Sequence, residues 1–165
     1  TIYHRSKLEA EAFLQAEASA DLKVTTLRMS RCFPEPVPIM AMYRLHRGVD
    51  ARDVAQGHSL ALRPADESYR MFILSGATPF KQEDRIKLKT NPQTVLRERC
   101  PEICTLFAER NWELPKSIGR VYDSSLAQNV LGWQPVHSFE SVVNMLDEQI
   151  PEVLPEQALV LQVSE

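Results

Sequence analysis

A tyrosine and a lysine stand four residues apart near the start of the sequence, in the segment TIYHRSKLEAEAF. A phenol with a pKa near 10 is a poor acid–base group at neutral pH, and lowering that value by about three units takes roughly 4 kcal/mol. A cation about 4 Å away in a partly desolvated site supplies that order of energy. Residues i and i+4 of a helix share a face. The spacing of Tyr3 and Lys7 therefore permits an acid–base pair, and it equally permits an ordinary turn of a surface helix.

The elements that would position this pair alternate between helix and strand. Residues 5–18 are rich in Ala, Leu, Glu and Lys, which predicts a helix. Residues 22–29 contain consecutive β-branched side chains, which predicts a strand. A second helix is predicted in 50–63 and a second strand in 69–76. This order favours an α/β fold with a parallel sheet.

The rest of the chain is predicted to be loop or helix. Three prolines in CFPEPVP, residues 32–38, predict a loop with a stiff path, and residues 43–49 are predicted to be extended. Further helices are predicted in 91–111, divided at Pro101, in 122–133, with Asp123 as N-cap and Gly132 as C-terminal stop, and in 138–150, with Ser138 as N-cap. The acidic, proline-spaced tail of 151–165 is predicted to be peripheral. Two strands are too few for a complete doubly wound sheet, which indicates a partial domain or missed strands.

Composition excludes several classes of function. A length of 165 residues suits one domain. A net charge of −3 gives no basic excess for nucleic acid or an anionic membrane surface. No apolar run approaches the roughly 20 residues that span a bilayer. The odd count of three cysteines, without a secretion signal, predicts reduced thiols and a cytoplasmic protein.

Two of the cysteines have helical spacing. Cys100 and Cys104 could form a metal or redox pair, or they could be two small hydrophobic residues on one helical face. No second Cys/His pair stands at zinc-ligand spacing. We therefore expect the packing role, and no metal site.

Five segments, taken in chain order, resemble landmarks of the extended short-chain dehydrogenases/reductases, the NAD-dependent epimerase/dehydratase family. YHRSKLEAEAF resembles the helix that carries the family's tyrosine and lysine, and the closing DSSLAQNVLGWQPVHSFESVVNML resembles the family's last conserved segment. The others are LKVTTLRMSRCFPEP, GVDARDVAQGHSLAL and YRMFILSGATPF. Together they span residues 3 to about 146. The resemblance implies a Rossmann-like fold that binds NAD or NADP.

The resemblance also implies roles for individual residues. Tyr3 would be the catalytic acid–base, and Lys7 would favour its phenolate and hydrogen-bond the nicotinamide ribose. Met29, Ser30 and Cys32 lie where the family's backbone meets the nicotinamide end of the cofactor. A small-molecule substrate is the expected partner.

Three further positions have more than one interpretation. Arg31 stands where many members of the family place a substrate-binding asparagine, and a guanidinium would suit an anionic group; it could equally be a surface charge. His58 matches a position that is structural in the family, so we expect it to pack. Asp53 is expected to cap or anchor its helix, with no catalytic role.

Two features of the family are missing. The family's Gly-x-x-Gly-x-x-Gly turn lets the backbone approach a pyrophosphate, whereas the closest glycines here, Gly48 and Gly57, are nine positions apart. The segment from Phe33 to Val49 is also shorter than in the family's nucleotide-sugar enzymes, which weakens the case for a nucleotide-sugar substrate. The resemblance therefore implies that residues 1–150 are the C-terminal portion of a Rossmann-like doubly wound parallel sheet with a reduced, mostly helical substrate lobe. On its own, the chain should neither bind NAD tightly nor turn over a substrate.

Three functions remain open from the sequence. The first is part of an NAD(P)-dependent oxidoreductase, epimerase or dehydratase acting on a carbinol or carbonyl carbon, with a sugar-like substrate as one candidate. The second is a non-catalytic truncated α/β module that serves binding or assembly, with a homodimer formed through residues 5–18, as the family's tyrosine helix often does. The third is an unrelated α/β domain, which would be favoured if Tyr3 and Lys7 pointed to opposite sides of their helix.

Overall fold

A computed structural model describes residues 1–150, which form a mixed α/β structure. The prediction for the tail of 151–165 lies outside the described residues. In chain order the elements are α1 (Ile2–Glu17), β1 (Val24–Met29), α2 (Val37–Arg44), α3 (Ala51–Ala61), β2 (Tyr69–Leu74), a 3₁₀ turn (Gln82–Asp84), α4 (Arg85–Thr90), α5 (Pro92–Arg99), α6 (Pro101–Glu109), α7 (Ser125–Leu131) and α8 (Phe139–Asp147).

The two strands pair in parallel, in a register that runs from Val24 opposite Tyr69 to Met29 opposite Leu74. Helix α3 lies between them in sequence, as a parallel connection requires. The predicted α/β class with a parallel strand pair is confirmed. Just past the end of β1, Arg31 forms an isolated parallel bridge with Gly48, which lies outside β2.

One face of the sheet packs on α3 and α7 around Trp133, which is fully buried. The indole Nε1 donates a hydrogen bond of 2.8 Å to the backbone carbonyl of Asp53. Gly57 of α3 faces the same core, and a Cβ there would lie 2.5 Å from Leu74 Cδ1. The absence of a side chain at Gly57 therefore lets α3 approach the sheet closely.

A second core lies among the helices. Its buried side chains come from α2, α4, α5, α6 and α8, and among them are Val37, Met40, Leu88, Val95, Leu96, Ile103, Phe107, Val142 and Met145. Full burial of one such aliphatic or aromatic side chain stabilises the fold by about 1.5–3 kcal/mol. A mostly helical part of the chain therefore has its own core beside the sheet.

Residues 32–36 form the predicted loop, but helix α2 (Val37–Arg44) replaces the end of the predicted loop of 32–38 and the start of the predicted extended segment of 43–49. Pro36 is its N-cap and Pro38 lies in its first turn. Backbone N–H groups of the first turn have no partner within the helix, so a proline there costs no hydrogen bond. The sequence reasoning missed this helix because the last prolines of the cluster start it instead of excluding it. Helix α4 also lies in a segment for which no element was predicted.

Several predicted boundaries are confirmed. Helices α5 and α6 are divided at Pro101, and Gly132 ends α7 in the left-handed conformation at φ +66°. Ser138 is the N-cap of α8. For α7 the N-cap is Ser124, not Asp123, although the Asp123 carboxylate accepts a hydrogen bond of 2.8 Å from the Ser125 backbone N–H.

Helix α1 contains no buried residue and contacts the rest of the fold at β1. Its attachment includes a bidentate ion pair, in which Arg28 Nε and Nη2 reach the two Glu11 carboxylate oxygens at 2.9 and 2.5 Å. Phe13, on the same helix, is 64% exposed. Among residues 1–150, no helix combines the length and apolar character needed to cross a bilayer.

Candidate functional site

Tyr3 and Lys7 lie on the same side of the first two turns of α1. Thr1 caps this helix by accepting a hydrogen bond of 3.3 Å from the His4 backbone N–H. Lys7 Nζ lies 5.5 Å from the centroid of the Tyr3 ring, which is cation–π distance. The two side chains therefore do not point to opposite sides, which was the condition that would favour an unrelated domain. Tyr3 is 71% exposed, so its ring is largely open to solvent.

The carboxyl ends of the two strands carry two serines whose hydroxyls are buried. Ser30 directly follows Met29, and Ser75 directly follows Leu74. Among residues 1–150, neither serine Oγ has a hydrogen-bond partner. A buried polar group without a partner costs about 1–3 kcal/mol. The carboxyl edge of a parallel sheet is where open α/β folds bind ligands, so Ser30 lies where a ligand contact is expected; Met29 beside it is exposed.

Arg31 is exposed and forms an ion pair with Glu35. Its guanidinium carbon also lies 5.6 Å from the centroid of the Tyr43 ring. Its backbone is fixed, because the N–H donates to the Arg47 carbonyl at 2.9 Å and its carbonyl accepts from Val49 at 3.0 Å. An anionic ligand at Arg31 would therefore compete with Glu35 for the guanidinium.

Cys32 lies beside a buried ion pair that the sequence did not predict. Burial raises the pKa of the Cys32 thiol, so this side chain is neutral at neutral pH. Arg44 Nη2 lies 3.0 Å from Asp50 Oδ2, and both side chains are less than a tenth exposed. Asp50 also accepts hydrogen bonds of 2.9 Å from the Arg52 backbone N–H and Nε. The pKa of Asp50 is lowered because the Arg52 and Arg44 contacts outweigh its burial.

Asp53 anchors its helix, as expected, to the segment that precedes α8. Its carboxylate accepts hydrogen bonds from the backbone N–H groups of Val136 at 3.2 Å and His137 at 3.0 Å. The N-cap of α3 is Asp50 instead. The packing prediction for His58 is wrong: this side chain is exposed, and its Nδ1 lies 2.9 Å from the Val54 carbonyl oxygen.

Cys100, the N-cap of α6, and Cys104, within α6, have the predicted packing character. Cys100 is buried in the helical core, and Cys104 packs against that core. Burial raises the pKa of the Cys100 thiol to about 12, so it is protonated at neutral pH. Within residues 1–150, no group of three His, Cys, Asp or Glu side chains is placed to hold a metal ion.

A cavity of about 590 Å³ lies between α2 with the turn that follows it and the segment of residues 113–120. Tyr43, His46 and Arg47 line the first wall, and Glu113 and Arg120 line the second. This site was not predicted from the sequence, because residues 43–49 were expected to be extended. The signal was present as the run YRLHR, which carries two arginines and a histidine where a helix ends.

Comparison of this chain with family models, with curated proteins and with solved structures finds no match. The membership of the extended short-chain family therefore stays a prediction.

We expect the buried imidazole of His46 to make the fold sensitive to mild acid. Burial, assisted by the charge of Arg47, lowers the pKa of His46 to about 4 from 6.5. The unfolded chain binds this proton below about pH 6.5, whereas the folded chain binds it only near pH 4. We expect the free energy of unfolding to fall by on the order of 3 kcal/mol as the pH drops through this window. Urea unfolding at a series of pH values measures the loss.

The matched variants for this prediction are His46→Gln and His58→Gln. Glutamine at position 46 can still donate to the Arg120 carbonyl, which accepts from His46 Nδ1 at 2.9 Å, but it does not titrate. His46→Gln should therefore flatten the slope between pH 4 and 6.5. His58 is exposed, and its replacement should keep the slope. An unchanged slope in His46→Gln would contradict the assignment.

Proposed function

We propose that this chain is the C-terminal part of an NAD(P)-dependent oxidoreductase, epimerase or dehydratase of the extended short-chain family. The observation that carries the proposal is the pair of Tyr3 and Lys7, with the Lys7 ammonium 5.5 Å from the tyrosine ring on a helix bound to β1. The finer fold prediction, a portion of a Rossmann-like doubly wound sheet, belongs to the same proposal.

The open edge of β1 supports this fold. Val24 N–H donates to the Ser68 carbonyl at 2.8 Å, and Ser30 N–H donates to the Leu74 carbonyl at 2.9 Å. Because backbone groups alternate between the two edges of a strand, those of Thr25, Leu27 and Met29 point away from β2. Within residues 1–150, the sheet has no other strand to pair with them. A further parallel strand on this edge would extend the sheet towards a doubly wound one.

In the proposed chemistry, this chain's own residues carry out one proton transfer. The Tyr3 hydroxyl would give its proton to, or take one from, the oxygen of a carbinol or carbonyl carbon. Lys7 would favour the phenolate by its charge and hold the nicotinamide ribose by a hydrogen bond. A bound nicotinamide would accept or supply the hydride. Since Tyr3 is 71% exposed here, the site requires a further part of the complete protein to exclude water.

A second candidate function is a non-catalytic module for binding or assembly. The observation in its favour is the apolar surface of α1, where Phe13 is 64% exposed and Leu8 and Leu14 are also exposed. A homodimer through this helix would cover these side chains. This alternative needs no chemistry at Tyr3 and predicts no nicotinamide binding.

Cofactor binding separates the two candidates. We expect the complete polypeptide that contains this chain to have an intact mass well above 18.8 kDa and to bind NADH or NADPH in calorimetry. Replacement Lys7→Met should weaken that binding by about tenfold or more, through loss of a charge-assisted hydrogen bond worth about 1.5–3 kcal/mol. The control Lys87→Met removes an exposed lysine on α4 and should leave the affinity unchanged.

Two results would count against the enzyme. An intact mass near 18.8 kDa without cofactor binding would favour the assembly module. Cofactor binding that is equally tight in Lys7→Met and Lys87→Met would remove Lys7 from the ribose contact.

A further inference from the structure

We propose that the cavity between α2 and residues 113–120 binds a phosphate monoester that carries an apolar or aromatic group. The cavity, of about 590 Å³, falls within the range of about 300–1,000 Å³ typical of small-molecule sites. The proposal uses neither Tyr3 nor Lys7, so it does not depend on the nicotinamide chemistry proposed above.

The charges that line the cavity favour an anion. Arg47 and Arg120 contribute one guanidinium from each wall, and Glu113 contributes the carboxylate. Among residues 1–150, neither arginine is ion-paired with a carboxylate. His46 is neutral at neutral pH, since burial lowers its pKa to about 4. The lining groups therefore leave one net positive charge for a ligand.

Arg47 is held in place by an aromatic side chain instead of an acid. Its guanidinium carbon lies 4.3 Å from the centroid of the Tyr43 ring, and its Nη2 donates to the Tyr43 hydroxyl at 2.6 Å. Its Nε has no hydrogen-bond partner within residues 1–150. A guanidinium has five N–H donors, so stacking fixes this group while most of its hydrogen-bonding capacity remains unused.

The backbone at Arg120 and Tyr122 is fixed next to the end of α2 by two hydrogen bonds to His46, one from each residue. The His46 Nδ1–H donates to the Arg120 carbonyl at 2.9 Å, and the Tyr122 backbone N–H donates to the His46 carbonyl at 2.8 Å. Arg120 Nη1 also donates to the Tyr122 hydroxyl at 3.2 Å. The two arginines therefore line one cavity before any ligand is present, which reduces the entropy cost of binding.

The nature of the lining selects the ligand class. A phosphate monoester carries about −1.5 to −2 charges at pH 7 and three acceptor oxygens. Such a group matches two guanidinium groups better than a carboxylate does, because a carboxylate has only two oxygens. Ile39, Met42 and Pro115 add apolar surface to the same cavity. These side chains would cover an apolar or aromatic group attached to the phosphate.

The test measures the binding of phenyl phosphate to the full chain by calorimetry at low salt. We expect phenyl phosphate to bind at least fivefold more tightly than inorganic phosphate or benzoate, and benzyl alcohol not to bind. Variants Arg47→Met and Arg120→Met should each weaken phenyl phosphate binding by at least tenfold. Arg120 is exposed, so its variant should fold even if loss of the Tyr43 stack destabilises Arg47→Met.

Two further variants sharpen the test. Arg85→Met removes an exposed arginine outside the cavity and should leave the affinity unchanged. Glu113→Gln removes the lining carboxylate and should strengthen binding by about threefold, because a like charge near the phosphate is lost. A purely structural role for this segment would not produce opposite effects from Arg120→Met and Glu113→Gln.

Four results would overturn the proposal. Equal affinity in the parent protein and in Arg120→Met would exclude the cavity as the site. Tighter binding of benzoate than of phenyl phosphate would make the ligand a carboxylate, and equal binding of inorganic phosphate would remove the apolar group. Binding that requires deletion of residues 151–165, which contain three glutamates, would make that tail the occupant.

Discussion

Replacement Tyr3→Phe should lower the turnover of the complete protein by about 10²–10⁴-fold, which is the contribution of a positioned acid–base group. The affinity for NADH or NADPH should change by less than about twofold, because the proposed ribose contact belongs to Lys7. Tyr3 is 71% exposed and phenylalanine keeps the ring, so the free energy of unfolding should change by less than about 0.5 kcal/mol. Nicotinamide absorbance, followed with a carbonyl or carbinol substrate that the parent protein turns over, measures the rate.

The matched control for this variant is Tyr69→Phe. Tyr69 begins β2, and the proposed mechanism gives its hydroxyl no role, so turnover should be preserved. A residual rate in Tyr3→Phe above about a third of the parent rate would remove Tyr3 from the proton transfer. Together with intact cofactor binding, that result would redirect the search to another acid–base group.

The parts of the fold that were predicted correctly depend on local chemistry. The division of two helices at Pro101 follows from the missing N–H of proline, which suits a first helical turn. The stop at Gly132 follows from the left-handed backbone that glycine adopts without strain. The strand pair follows from β-branched residues in 22–29 and from the alternation with helices.

The parts that were missed depend on contacts between distant segments. Helix α2 buries Val37 and Met40 in a core shared with α8, about a hundred positions later in the chain. His58 was expected to pack, but the neighbouring Gly57 faces the sheet instead. A side chain at position 57 would meet Leu74 and Trp133, so only glycine fits against them. No local pattern in 51–61 distinguishes these two orientations of α3.

The two candidate sites differ in how far the sequence could reveal them. The spacing of Tyr3 and Lys7 is contained in a single helix, so it was visible at once, and the structure adds their distance and exposure. The cavity requires Arg120 to lie against His46, which is 74 positions away, through a side-chain contact to a backbone carbonyl. Such a contact leaves no periodic signal in a single sequence.

The largest effect on stability is expected from Asp50→Ala, which should lower the free energy of unfolding by about 3–5 kcal/mol. The variant leaves Arg44 charged and buried, and it removes the N-cap of α3. Arg44→Met should cost less, because Asp50 keeps the Arg52 backbone N–H and Nε as donors at 2.9 Å. Urea unfolding at pH 7 measures both, and Asp66→Ala, at an exposed aspartate, should change the value by less than about 0.5 kcal/mol.

The double variant Arg44→Met with Asp50→Ala tests whether the pair is a coupled buried ion pair. Once Asp50 is absent, Arg44 is an unpaired buried cation, and methionine removes that cost while it keeps most of the side chain's volume. The double variant should therefore be more stable than Asp50→Ala alone, although the lost N-cap still costs about 1 kcal/mol. If the two single losses simply add, the Arg44–Asp50 contact contributes no coupling. The importance of Asp50 would then lie in capping α3 and binding Arg52.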